Sequence, residues 1–111
     1  MRKAVENVDD ATFDERVRGA EGPVLVDFTA AWCPPCRRLE PILDELAERQ
    51  PWLTVLRLDV DRNVTAATRH GVLAFPTMIL FEDGNEATRL VGLRPLRQLE
   101  QELGSFAPVL R

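Results

Sequence analysis

The chain holds two cysteines, and they stand three residues apart in Trp32-Cys33-Pro34-Pro35-Cys36. At helical spacing one turn carries both thiols to the same face, close enough for a disulfide that opens and closes with little backbone motion. The run before it, Val24-Leu25-Val26-Asp27-Phe28, is nearly all apolar and reads as a strand covered on both faces. The pair therefore falls where a strand hands over to a helix. Free N–H groups and the positive end of the helix dipole at such a junction favour thiolate over thiol, which is expected to lower the pKa of Cys33. Cys33 is then the nucleophile, and Cys36, one turn deeper, is the thiol that resolves a mixed disulfide. The chemistry this stretch can do is reversible thiol–disulfide exchange.

Two cysteines can also be small buried apolar groups, a structural clamp or half of a metal site. A closed zinc site takes about four ligands. Beyond the cysteines the sequence offers one His, so carboxylates would have to complete the set, and no metal is expected. Trp32 before the pair and the prolines within it suit an exposed helix start and argue against an inert pair in the core.

With 111 residues, 45% of them hydrophobic, the chain suits one domain over 1–111 with its own core, and a second domain has no room. A net charge of -4 with no cluster of Lys and Arg argues against a nucleic-acid partner. Met1-Arg2-Lys3 runs into Glu6, Asp9 and Asp10 with no apolar segment behind it, so neither a signal peptide nor a membrane span is expected. With no further cysteines for a disulfide framework, the expected compartment is the reducing cytoplasm.

The elements that must hold the pair lie on either side of it. Residues 3–5 suit a short edge strand. Asp9 or Asp10 is placed to cap a helix with Phe13 and Val17 on one face, stopped at Gly19 or Gly22. The helix from Pro34 carries Cys36, Leu39, Leu43 and Leu46 at steps of three and four, with a kink expected at Pro41. Residues 53–60 read as a strand, parallel to the first through a βαβ crossover, with Leu56, Leu58 and Val60 on one face and Val55, Arg57 and Asp59 on the other. Asn63 is set to cap a short helix ending at Gly71. Thr77 to Phe81 reads as another buried strand, and Asp83-Gly84 as the hairpin turn into an antiparallel strand over 86–91. Pro95 opens a last helix with Leu96, Leu99 and Leu103 on one side, closed by Gly104 and followed by a loosely packed tail over 105–111. His70, at the C-terminal end of its helix, reads as a surface residue favoured by the dipole and outside the chemistry. Asp27 is the residue that does not fit. A carboxylate within an apolar strand is costly to ionise, so its pKa should rise toward the range useful for proton transfer.

Taken in order, Val26-Asp27-Phe28, Ala30, Trp32-Cys33, Pro35-Cys36, Pro41, Asp59-Val60-Asp61, Phe75-Pro76-Thr77, Gly84 and Val91-Gly92 make the chain resemble the thioredoxin family over nearly its full length, with Trp-Cys-Pro-Pro-Cys as the active-site motif. The resemblance implies an α/β thioredoxin fold, a central mixed β-sheet flanked by helices with the redox pair at the top of a strand. It implies a thiol-disulfide oxidoreductase that reduces protein disulfides and is recharged by a separate enzyme, thioredoxin reductase. Asp27 would assist deprotonation of Cys36. Arg57 would lie near that acid and oppose its upward shift, a solvated Arg on the strand face being the alternative. Pro76 would follow a cis peptide, and the backbone of Phe75 would pair with an extended substrate peptide in a shallow apolar groove lined also by Trp32, Ala74, Gly92 and Leu93. No cofactor is expected, since no Gly-rich phosphate loop follows a strand. The partners would be disulfide-containing proteins and the reductase, with no nucleic acid and no membrane.

Two positions depart from the family pattern: Pro34 stands where Gly is common and Thr29 where Trp is common. Pro34 removes an N–H that could face the Cys33 sulfur, and Thr29 replaces an aromatic lid with a hydroxyl. Thr29, Pro34, Pro35 and Arg57 are therefore the positions expected to tune the pair. The departures keep a second reading open, a binding module whose surface docks a partner while the cysteines are secondary.

Overall fold

The computed structural model describes residues 4–109. Among them five strands form one sheet: β1 (Val5–Val8), β2 (Val24–Thr29), β3 (Thr54–Asp59), β4 (Thr77–Glu82) and β5 (Asn85–Val91). Their order is β1-β3-β2-β4-β5. β3 pairs in parallel with both β1 and β2, whereas β4 is antiparallel to β2 and to β5. Four α-helices among the described residues flank this mixed sheet: α1 (Phe13–Arg18), α2 (Pro34–Arg49), α3 (Val64–Arg69) and α4 (Leu96–Leu103). No helix among the described residues is long and apolar enough to cross a membrane.

β2 is buried along its whole length, as a central strand with both faces covered must be. Side chains alternate across it. Val24, Val26 and Phe28 pack with Leu56, Leu58, Ile79 and Phe81 against Phe13 and Val17 of α1 and Ala66 and Ala67 of α3. Leu25 packs on the other face with Val55, Met78 and Leu80 against Leu39, Leu43 and Leu46 of α2 and Leu99 and Leu103 of α4. The same alternation puts Asp27 on the α2 face, among residues that are otherwise apolar. α2 runs unbroken through Pro41. The hairpin turns at Asp83 (φ 52°) and Gly84 (φ 81°), the paired left-handed conformations for which an Asp-Gly step is suited.

Several boundaries and contacts differ from the sequence expectation. The first strand is Val5–Val8 and not 3–5, of which residue 3 lies outside the described residues; the buried Val5 and Val8 fix it against β3. Asp9 closes the turn ahead of α1, its Oδ1 accepting from the Thr12 N–H at 2.9 Å. Asp10 caps a helix remote in sequence: its carboxylate accepts from Thr65 N–H (3.1 Å) and Ala66 N–H (2.9 Å) in the first turn of α3. Asn63 occupies the N-cap position of α3 without making the cap bond, and instead accepts from Asp10 N–H and donates to the Asp59 carbonyl. His70 is only partly exposed. Its ring is half-buried among Phe13, Phe81 and Phe28, with centroids 5.4, 5.2 and 6.5 Å away, and this burial lowers its pKa. The tail is more ordered than expected: 104–106 form a 3-10 turn that packs Phe106 against the α2–α4 core, while the end of the 105–111 segment, 110–111, lies outside the described residues.

The Asp10 cap is testable. Asp10→Ala should lower the free energy of urea unfolding by about 1 kcal/mol, the usual worth of an N-cap side chain, and Asp10→Asn should recover most of that. Equal losses in the two variants would show that the carboxylate acts through charge and not as a cap acceptor.

Candidate active site

β2 ends at Thr29, and after a short turn in which Cys33 N–H donates to the Ala30 carbonyl (3.2 Å) the chain enters α2. Cys33 is the N-cap of that helix, with extended backbone (φ -96°, ψ 107°). Pro34 and Pro35 fill the first two helical positions and carry no N–H, so among the first three positions the sole backbone donor is Cys36 N–H. It donates to Cys33 Sγ at 3.3 Å. The sulfur thus stands where a Ser or Asp oxygen ordinarily caps a helix. Cys33 and Cys36 are joined in a disulfide with Cα atoms 5.2 Å apart, inside the usual range of about 4.4–6.8 Å. No acidic side chain lies in the first turn of α2, and Arg37 donates back to the Ala31 carbonyl (2.7 Å). Against the expectation of an exposed pair, both cysteines are buried; Trp32, 62% exposed, and Pro34 form the surface beside them. An N-cap residue turns its side chain in under the helix start, and that covers the sulfur.

Asp27 lies on β2, opposite Arg57 on β3 and Met78 on β4, with 0% exposure. Its Oδ2 is 3.7 Å from Arg57 Nε, and neither carboxylate oxygen has a hydrogen-bond partner. Burial pushes its pKa up to about 7, the Arg57 charge working against the rise and the Glu40 charge adding to it. Arg57 is not a solvated strand-face residue. Its side chain is 17% exposed and spans from Asp27 to Asp44, with Nη2 3.9 Å from Asp44 Oδ1. A cavity of about 220 Å³ opens beside it, lined by Asn7, Thr29, Glu40, Arg57 and Asp59 together with Ala30 and Ala31. The buried Thr29 is one of the residues lining this cavity.

On the opposite rim the Phe75–Pro76 peptide is cis. Two hydrogen bonds hold that loop: Thr77 Oγ1 donates to the Ala74 carbonyl (2.6 Å) and Gly92 N–H to the Pro76 carbonyl (2.8 Å). Gly92 has φ 100°, a conformation suited to glycine. Trp32 meets Phe75 edge to face at 5.9 Å and donates through Nε1 to Asp61 Oδ1 (3.3 Å). Ala74 and Leu93 are exposed, Phe75 and Gly92 half-buried, and Pro76 buried, so Pro76 contributes its backbone to this rim more than its ring. Sequence reasoning gave no role to Thr77, Asp61, Glu40 or Leu73. Leu73 is 93% exposed beside the loop and extends its apolar surface. A Leu next to Ala74-Phe75-Pro76 carries no local pattern that marks it as exposed.

A family model described as "Thioredoxin" matches residues 4–105. The chain is 44% identical over 110 residues to "Thioredoxin" of Mycobacterium tuberculosis, covering 98% of this chain and 95% of that one. It is 43% identical over 101 residues to "Thioredoxin" of Alicyclobacillus acidocaldarius, covering 90% and 95%. It is also 43% identical over 104 residues to "Bifunctional thioredoxin reductase/thioredoxin" of Mycobacterium leprae, covering 93% of this chain and 23% of that protein.

The environment of Asp27 makes stability depend on pH. The group titrates at about 7 in the fold, against an ordinary 3.8. Between those values the folded state holds a proton that the unfolded chain has lost. The contribution is fully present below pH 3.8 and is lost as the pH rises through about 7. At about 1.4 kcal/mol per pH unit the ionised carboxylate then costs of order 4 kcal/mol. Asp27→Asn, which cannot ionise, should gain stability relative to wild type by a few kcal/mol between pH 4 and pH 8, read by urea unfolding of the disulfide form. A difference between the two proteins that does not change with pH would place the titration elsewhere.

Proposed function

The chain belongs to the thioredoxin family and is a protein-disulfide reductase with a redox-active Cys33–Cys36 pair, and we propose how its residues divide the reaction between them. Cys33 is the nucleophile. As a thiolate it attacks one sulfur of a substrate disulfide; a Cys33–substrate disulfide forms, and the other substrate sulfur leaves and takes a proton. Asp27 accepts the proton of Cys36, whose thiolate attacks Cys33 Sγ. The Cys33–Cys36 disulfide forms, the second substrate sulfur leaves, and two electrons have passed from the dithiol to the substrate. The observation that carries this division is the capping geometry: the Cys33 sulfur sits at the positive end of α2 and receives the Cys36 N–H, whereas Cys36 lies inside the helix.

The rim opposite the pair supports docking of an extended peptide, with the Phe75 backbone as its partner and Trp32, Ala74, Gly92 and Leu93 as apolar flanks. Pairing with main chain would let the groove accept many substrate sequences. Thr29, Pro34, Pro35 and Arg57 set the poise of the pair. Recharging falls to a thioredoxin reductase; the Mycobacterium leprae relative, whose name joins both activities in one chain, supports that partner. The reducing cytoplasm is the compartment in which such a dithiol is maintained.

Dithiothreitol-driven reduction of insulin tests the assignment. Wild type should accelerate it and Cys33→Ser should abolish the acceleration; unchanged activity in Cys33→Ser would overturn the role of Cys33. The double-proline turn gives a second outcome. A donor facing the Cys33 sulfur stabilises the reduced form and so makes a disulfide more oxidising, whereas a stiff turn favours ring closure. Pro34→Gly restores an N–H and loosens the turn, and both changes should raise the reduction potential and slightly lower the pKa of Cys33. Equilibration with glutathione or dithiothreitol buffers reads the change, about 30 mV for each 1.4 kcal/mol. A variant harder to reduce than wild type would contradict the prediction.

A further inference from the structure

A buried acid–base group that turns over must exchange its proton with solvent, yet Asp27 is sealed. Its two oxygens and Arg57 Nε and Nη2 are buried without hydrogen-bond partners. Arg57 cannot pass the proton on, because the guanidinium keeps its charge at any working pH. Asp27 does not line the cavity beside Arg57, but Arg57 does and lies 3.7 Å from the carboxylate; at about 220 Å³ the cavity has room for several waters at about 30 Å³ each. Two carboxylates line it, Asp59 and Glu40. Asp59 is committed to the turn after β3, its Oδ1 accepting from Asp61 N–H at 3.0 Å. Glu40 is half-buried, makes no ion pair among the described residues, and follows Cys36 by four residues on α2, so the two project from neighbouring turns on one side of the helix. Its charge also acts on Asp27. Asp44, the remaining carboxylate near Arg57, is more than half exposed and lies outside the cavity lining.

We propose that Glu40 is the solvent-side carboxylate of this site, a positioning residue that passes protons across the cavity between solvent and Asp27. The proposal rests on the acid–base role assigned to Asp27 above. When Cys36 has given its proton to Asp27, a shift of the Arg57 side chain admits cavity water to the carboxyl, and the proton passes through that water to Glu40 and out; no electrons move in this step. When the disulfide is reduced again, the same path returns a proton to the Cys36 thiolate. The charged groups that face Glu40 or Asp27 across the cleft are Arg57 and Asp59 of β3 and Asp44 of α2. Arg57 supplies the permanent positive charge between the two carboxylates.

The test is steady-state reduction of insulin by the full chain with dithiothreitol as reductant, followed against pH and buffer concentration in wild type, Glu40→Gln, Glu40→Asp, Asp44→Asn and Asp27→Asn. Glu40→Gln should slow the turnover several-fold, short of the roughly 10²-fold that a directly acting acid–base group supplies. Its rate should recover as imidazole is raised, since a small buffer can reach the cavity. Glu40→Asp should keep most of the rate, and Asp44→Asn should match wild type. Asp27→Asn should be slow and unresponsive to buffer. In Glu40→Gln the carbon-13 titration of the Asp27 carboxyl should move to lower pH, because a neighbouring negative charge is gone. A wild-type rate in Glu40→Gln alongside a slow Asp27→Asn overturns the role of Glu40 alone. A slow Glu40→Gln with no buffer rescue and an unmoved Asp27 titration also overturns it. A wild-type rate in Asp27→Asn overturns the underlying reading of Asp27, and this proposal with it.

Discussion

A carboxylate stands in the middle of the most buried strand of the sheet, and the site is arranged around that cost. Asp27 shares the α2 face of β2 with Leu25, where neighbouring positions are Leu, Met and Val. Ionising it there costs of order 4 kcal/mol, against a total stability of roughly 5–15 kcal/mol for a domain of this kind. Arg57 does not cancel the cost. At 3.7 Å, without a hydrogen bond, the pair gains Coulomb energy but leaves both partners desolvated, the circumstance in which an ion pair fails to repay its burial. The carboxylate is therefore poised between its two states near neutral pH, and a group so poised can both take and release a proton under the same conditions.

The second constraint is local, and it sits just past the end of the same strand. β2 ends under the start of α2, and the chain makes the crossing with Cys33 as cap and two prolines as the first helical residues. Two prolines fix φ at successive positions and remove two donors, so the helix start is rigid and its charge-stabilising capacity is concentrated in one N–H. That rigidity sets the 5.2 Å Cα separation within which the disulfide forms and opens. The long stripe of Leu39, Leu43 and Leu46 then anchors α2 on the sheet, so the cysteines move with the core and not with a loop.

Much of this is legible in the sequence, and for identifiable reasons. The strand around Asp27, the stripe on α2, the alternation in β3 and the Asp83-Gly84 turn are short-range signals, where side-chain period or backbone chirality decides the outcome. Asp27 stood out because its polarity contradicts its neighbours. What the sequence does not show depends on contacts far apart in it. Asp10 caps α3 from more than fifty residues away, so proximity to α1 pointed to the wrong helix. His70 looked like a helix-end surface residue because the aromatic cluster that buries it is drawn from α1, β2 and β4. Glu40 reads as one more polar position on an amphipathic helix; only the placement of β3 against α2 opens a cavity beside it.

Arginine at position 57 makes the second carboxylate consequential. A lysine beside a buried acid could lose its own proton and leave the acid free of opposing charge, whereas a guanidinium remains charged under all working conditions. A permanent cation beside Asp27 draws its proton affinity down, and burial has to supply most of the upward force, with the Glu40 charge adding to it. Glu40 and Asp44, on successive turns of α2, bring negative charge toward the same guanidinium, Glu40 from within the cavity and Asp44 from its solvent side. Burial and the Glu40 charge, set against that one fixed cation, leave Asp27 close to the balance point that proton transfer needs. The acid of this site is thus tuned by a strand and a helix together, and the helix that tunes it is the one that carries the cysteines.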